Sequence, residues 1–293
     1  MKKLFLLIIF FAGIGNCYSQ SGNKPISLKF DLPKGSGYDY NMTTDMTTKV
    51  NAGGQDVNVD NTMGIGYHFS VLGDSAGWKR ISSTISKIVI NINTGGMNMD
   101  YDSDKPLDTA DVMNATLAKT LGNIKGAQFV FTMNGRGEVG SVTGINEMLQ
   151  RMSAEDDNAM GSGIGNPFNE ENFKQSMQAT FGSYPDKPVK PGDSWTKTIT
   201  TTNAGMLMKM ESVYNLESYS GNIADVNVSS KISSTDTTQG FNGTMTGLMK
   251  YDIPTGMPVD GDLIMALNMN VNTGDQAMPI NMDIKMKVTG KRS

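Results

Sequence analysis

Apolar and polar residues alternate with a period of two along most of this chain. From Tyr38 to Val50 one face reads Tyr38, Tyr40, Met42, Thr44, Met46, Thr48 and Val50, and the other reads Asp39, Asn41, Thr43, Asp45, Thr47 and Lys49. Successive side chains of a strand point to opposite faces, so this stretch predicts a β-strand with one dry and one wet side. Asn51–Gln55 has the composition of a hairpin loop, and the next run places Val57, Val59, Met63, Ile65, Tyr67, Phe69 and Val71 opposite Asp56, Asn58, Asp60, Thr62, His68 and Ser70. Near the C-terminus Leu263, Met265, Leu267, Met269 and Val271 share a face, as do Ile280, Met282, Ile284, Met286 and Val288. Further strands are expected at 26–32, 78–92, 96–102, 127–133, 193–202, 206–219, 222–233 and 240–253. Such one-sided strands belong to antiparallel sheets. Ten to twelve of them are too many for a flat sheet, so twist must curl it into a barrel or half-barrel or split it into two layers.

The period changes to that of a helix in the middle of the chain. The stretch 109–121 carries Val112, Met113, Leu117 and Leu121 on one stripe and ends at Gly122. A second helix is expected at 144–153, capped by Thr143, with Ile145, Met148, Leu149 and Met152 at i, i+3, i+4 and i+7. A third, 169–181, shows Phe173, Met177 and Phe181 and closes at Gly182. Ser153–Gly165, polar and rich in Gly, reads as a loop. The expected fold is mainly β, with long antiparallel strands in a curved sheet or half-barrel. The order of strands and turns in 20–105 is similar to that in 185–293, so two similar β units are expected around a helical insert with a hairpin at 106–184.

Composition sharpens this picture. Leu, Ile, Val and Phe are sparse, and the 23 Met among 293 residues supply much of the large apolar stock. With 25 Lys and Arg against 29 Asp and Glu, the net charge is −4, without the basic excess of a nucleic-acid-binding protein. One Cys excludes an internal disulfide framework, and one His leaves little scope for imidazole catalysis.

Residues 1–19 read as a signal peptide. Met1-Lys2-Lys3 is a basic start, and Leu4–Ile14 is an apolar run too short to span a bilayer. Cleavage after Ser19 leaves a chain of net charge −6 beginning at Gln20. The alternative is lipidation at Cys17, disfavoured by Asn16 where Gly, Ala or Ser belongs. Either way the protein is expected to be exported, in the periplasm or outside the cell or as an outer-membrane lipoprotein, with no transmembrane segment after residue 19.

Pro185–Trp195 (PDKPVKPGDSW) and Gly135–Gly144 (GRGEVGSVTG) resemble motifs of an uncharacterised family of secreted, β-rich envelope proteins of the Bacteroidota type. The resemblance implies the β-rich fold and export and carries over no catalytic residue. At fold level the arrangement is similar to half-closed β-barrels with helical lids that carry lipid or lipoprotein in the envelope.

The candidate chemistry is thin. No Gly-x-Ser-x-Gly elbow or phosphate-binding Gly loop is present, and His68 falls on a polar strand face, so no catalytic residue is assigned. Asp100, Asp102, Asp104 and Asp111 have the spacing of a Ca²⁺ loop, but Lys105-Pro106 stands where its Gly belongs, and a solvated loop is the preferred reading. Met206, Met208 and Met210 place three thioethers on one face, which suits Cu(I). Core packing explains the same spacing in the other strands, and no cofactor is expected. The remaining reading is a deformable apolar surface. Tyr38, Tyr40, Met42, Met46, Met206, Met208, Met210, Met265, Met269, Met282 and Met286 are the candidates to line a concave face that binds a lipid or apolar peptide. The alternative is a structural or protein-interaction module, partnered by other envelope proteins, whose own helices fill that face.

Overall fold

The computed structural model describes residues 24–52, 55–94, 98–106, 115, 118, 121, 122, 124–147, 170–203, 206–234, 240–273 and 276–293. The expected signal peptide, Cys17, Asp111, the loop 153–165 and most of the first two expected helices lie outside them. Twelve strands follow one another: β1 (Gly37–Ala52), β2 (Gln55–Ser75), β3 (Trp78–Asn93), β4 (Asn98–Asp102), β5 (Gln128–Asn134), β6 (Val139–Thr143), β7 (Ser194–Asn203), β8 (Met206–Ser220), β9 (Ile223–Ser234), β10 (Phe241–Asp252), β11 (Pro258–Thr273) and β12 (Gln276–Arg292). A helix, α1 (Glu170–Phe181), falls between β6 and β7. Ala115, Ala118, Leu121 and Gly122 are helical, as are Ile145, Asn146 and Glu147, in agreement with the other two expected helices as far as they are described.

All strands join one antiparallel sheet in the order β6-β5-β3-β2-β1-β12-β11-β10-β9-β8-β7, with β4 beside β3. Burial follows the predicted alternation. On β1, Tyr38 and Tyr40 are buried and Met42, Thr44 and Met46 half-buried, while Asn41, Thr43 and Asp45 are exposed. The register aligns like faces: Met42 stands opposite Ile65 of β2 and Val288 of β12. The dry faces of neighbouring strands thus merge into one apolar surface.

This surface is the inside of a strong curl. The amides of the adjacent residues Phe30 and Asp31 donate to Gly135 O in the β5–β6 turn (2.9 Å) and to Thr255 O in the β10–β11 turn (2.8 Å). Adjacent residues are about 3.8 Å apart, so the two acceptors lie within about 10 Å of each other. In a flat sheet the six strand steps from β5 to β10 would separate them by about 29 Å. The accumulated twist therefore nearly closes this end of the sheet. Helix α1 packs against both β6 and β7, the two edge strands, and covers the seam that hydrogen bonding leaves open.

The expected strand at 26–32 is corrected. Only Ile26 pairs, in an isolated bridge with Val189, and the rest runs as an extended crossing segment over the closed end. Its alternation is genuine, since Leu28, Phe30 and Leu32 are at most 3% exposed. Its backbone bonds go to turns on opposite flanks of the curl rather than to one neighbouring strand, a distinction that periodicity does not carry.

Above the crossing segment lies an aromatic cluster. Phe69 meets Tyr40, Tyr67, Phe131 and Phe181 at ring-centroid distances of 5.7–6.3 Å. The inner-face hydroxyl of Ser83, between Phe69 on β2 and Phe129 on β5, is fully buried and finds no hydrogen-bond partner among the described residues. A buried unpaired hydroxyl costs about 1–3 kcal/mol. Ser83→Ala is therefore expected to hold or raise the unfolding free energy, by up to about 1 kcal/mol after the lost packing is counted. A clear drop in urea denaturation would show that the hydroxyl is bonded.

Candidate functional site

The concave face is filled at one end and thins toward the other. At the closed end Tyr38, Phe69, Leu216, Val226 and Tyr251 are buried. Farther along β1, β2, β11 and β12, Met42, Met46, Ile65, Met265, Leu267, Met269 and Met282 are only half-buried, and Met63 is 51% exposed. Between these regions lies a cavity of about 320 Å³, walled by Met42, Ile65, Tyr67 and Ile88 from the sheet and by Leu121, Ile145 and Phe173 from the helical segments. Among the described residues no charged side chain lines it, and Thr44 and Tyr67 are the walls that carry hydroxyls. Burial pushes the Tyr67 phenol far above its ordinary value, so it stays protonated.

The sequence candidates divide along this gradient. Tyr38 and Tyr40 lie in the packed end, 1% and 3% exposed, and the Tyr38 hydroxyl donates to Pro258 O at 2.7 Å. Met42 lines the cavity. Met46, Met208, Met210, Met265, Met269, Met282 and Met286 continue the same concave face, half-buried. The side chain of Met206 lies outside the described residues, so the three-thioether face is described only at Met208 and Met210. What alternation could not reveal are the cavity's other walls, Leu121, Ile124, Ile145 and Phe173, which reach it from outside the strand pattern.

The acidic loop is occupied by lysines. Lys87 reaches Asp102 (3.6 Å) and Asp104 (3.0 Å), and Lys125 reaches Asp104 (2.8 Å). Hydrogen bonds from Lys125 and Lys87 hold the Asp104 carboxyl below its usual range. Among the described residues no three His, Cys, Asp or Glu side chains converge as a metal site.

On the opposite, wet face of the sheet, the sequence placed His68 in water, and the structure gives it partners. Its Nδ1 lies 2.7 Å from Asp39 Oδ1 across the β1–β2 pair, and its Nε2 lies 3.2 Å from Ser70 Oγ. The order carboxylate–imidazole–hydroxyl is that of a charge-paired nucleophile. Here it stands on the outer sheet surface, on the side away from the concave cavity, with Ser70 inside the ladder between Gly37 and Ser82.

The two sequence motifs build the closed end. Trp195 Nε1 donates to Ser183 O (2.6 Å), and the Trp195 ring stacks on Tyr214. Asp193 Oδ2 accepts from Lys190 N, while Gly192 N and Leu216 N tie the loop to β8. In the other motif Asn134 Oδ1 accepts from Arg136 N and Glu138 N, shaping a turn whose Gly137 (φ +76°) presses on the Phe181 carbonyl.

The outer face carries the charges. Asp45, Lys49, Asp283, Lys285 and Lys287 are exposed on β1 and β12. A membrane-spanning barrel places apolar side chains outward and polar ones within; this sheet has the reverse polarity. No described helix is long and apolar enough to cross a membrane.

Residues 76–258 match the profile of a family of unknown function, DUF6263. No curated protein matches the sequence. Among solved structures, the chain is similar to lipovitellin, described in terms of lipid–protein interactions, at 10% identity and a TM-score of 0.47. That match covers 89% of this chain and 25% of the other, so the chain spans about a quarter of lipovitellin's length. It is also similar to an outer-membrane channel from Pseudomonas putida F1 (7% identity, 89% and 97% of the two chains, TM-score 0.26). A third similarity is to the translocator domain of an autotransporter from Neisseria meningitidis (6% identity, 89% and 90%, TM-score 0.23).

Proposed function

The chain belongs to the family of unknown function DUF6263, and we propose that it is a non-enzymatic, exported envelope protein that holds an apolar ligand on the concave face of its sheet. The observation that carries this reading is the continuity between the half-buried Met, Ile and Leu strip and the cavity of about 320 Å³, whose described walls carry no charge. Ligand sites are concave and mostly apolar with a few polar groups, and their volumes begin near 300 Å³. Exposed apolar area costs about 25 cal/mol per Å² against burial, so a strip of this kind gains from being covered. Methionine suits that task, since its unbranched thioether adapts to varied shapes. Export rests on the basic start and apolar run of residues 1–14.

A second reading has its own support. Leu121, Ile145 and Phe173 already occupy part of the concave face, as they would in an interaction module with a filled core. Native mass spectrometry of protein extracted gently from the envelope separates the two. The carrier reading expects an adduct of lipid mass, or a mass gain when lipid is added to stripped protein. A homogeneous unliganded mass with no gain on lipid addition favours the filled module and sinks the carrier.

A further inference from the structure

We infer that the cavity accepts a single-chain amphiphile with a neutral head group, held by a hydrogen bond from the Tyr67 hydroxyl, and that it discriminates against an anionic head on the same chain. This rests on the carrier reading and names its ligand class. Three observations lead to it. First, about 320 Å³ is the lower end of the range for ligand pockets, room for one slender chain. Second, every described lining side chain is uncharged, so a carboxylate or phosphate drawn inside would lose its hydration with no cation among the described walls to replace it. Third, Tyr67 is 9% exposed and its hydroxyl makes no hydrogen bond among the described residues.

Across the β1–β2 pair Tyr67 faces Tyr40, and no hydrogen bond joins their hydroxyls. Phe69 stacks on the Tyr67 ring at 5.7 Å and Phe129 meets it edge-on at 6.2 Å; neither offers an acceptor. Only Asn61 Oδ1 and Ser83 Oγ are fully buried without a partner among the described residues, so the unpaired Tyr67 hydroxyl keeps some accessible surface, where a ligand oxygen can accept its hydrogen bond. Burial keeps the phenol protonated at any physiological pH, so it acts as a donor to an ester, amide or hydroxyl oxygen. Thr44, across the β1–β2 pair from Met63, brings a second hydroxyl to the same cavity.

The test uses delipidated protein and the neutral fluorescent probe N-phenyl-1-naphthylamine, displaced at pH 8 by 1-hexadecanoylglycerol or by hexadecanoate. The glycerol ester is expected to bind roughly tenfold or more tightly than the carboxylate of the same chain. Tyr67→Phe is expected to weaken the ester about fivefold relative to the naphthylamine, which does not need that hydrogen bond, and to hold or raise the unfolding midpoint. Equal or tighter hexadecanoate binding, or an ester affinity that ignores Tyr67→Phe, overturns the head-group inference and leaves the carrier reading standing. Failure of the unaltered protein to bind the naphthylamine, the ester and the carboxylate alike overturns both.

Discussion

Gly137→Ala lowers the stability of this protein by about 3 kcal/mol or more, a fall in Tm of roughly 6–12 °C for a chain of this size. Two costs combine. Gly137 has φ +76°, a left-handed conformation that costs an L-residue about 1–2 kcal/mol. A methyl there also runs into the carbonyl of Phe181, the last residue of α1, and backbone cannot rotate away as a side chain can. Overpacking of this kind adds about 1–3 kcal/mol. Gly77 is the control: its φ is +81° but nothing lies within 4 Å of an added Cβ, so Gly77→Ala carries only the conformational cost. The difference between the two midpoints in thermal denaturation isolates the contact between the β5–β6 turn and the end of α1. Equal shifts would mean that the helix does not press on the turn, and the account of the covered seam would fail with it.

Phe69→Ala is expected to cost about 3–5 kcal/mol, the range for removing a buried aromatic side chain. Phe69 is 2% exposed and touches four rings from three strands and α1, so little can collapse into the void. Met269→Ala, on the half-buried stretch of the same concave face, is expected to cost about 1 kcal/mol, because its side chain is only partly removed from water. Urea unfolding of the pair measures the gradient along the trough. Comparable losses would show that the Met-rich end is packed as tightly as the aromatic end, which favours the filled module over the carrier.

The strands were legible because their cause is local. A dry side chain at every second position specifies which face turns inward, and eleven of the twelve strands follow that pattern closely enough to be bounded within a few residues. The twelfth, β6, was legible only as part of a hairpin, since Val139–Thr143 is short and carries two inward residues, Val139 and Val142. The segment 26–32 has the alternation of a strand without the pairing of one. Its Leu28, Phe30 and Leu32 alternate as in any strand, yet their backbone crosses between turns on opposite flanks. Candidate site residues fared similarly. The methionines were found by their spacing, whereas Leu121, Ile124, Ile145 and Phe173 reach the cavity from segments with another period. The partner of His68 was hidden for a related reason: Asp39 is 29 residues away and meets it only through the β1–β2 register.

By itself, then, the sequence determined that this chain makes one-sided antiparallel strands, that its methionines stand on the dry side, and that α1 presents Phe173, Met177 and Phe181 as a stripe. These follow from the geometry of single elements, which a few neighbouring residues settle. Only the tertiary structure decided how far the sheet curls, what crosses its closed end, and which part of the apolar face stays uncovered. Those depend on twist summed over a dozen strands and on turns brought within about 10 Å from more than 100 residues apart, as with Gly135 and Thr255. No local pattern records that sum, and it is the sum that leaves the trough filled with aromatic rings at one end and lined with half-buried methionine at the other.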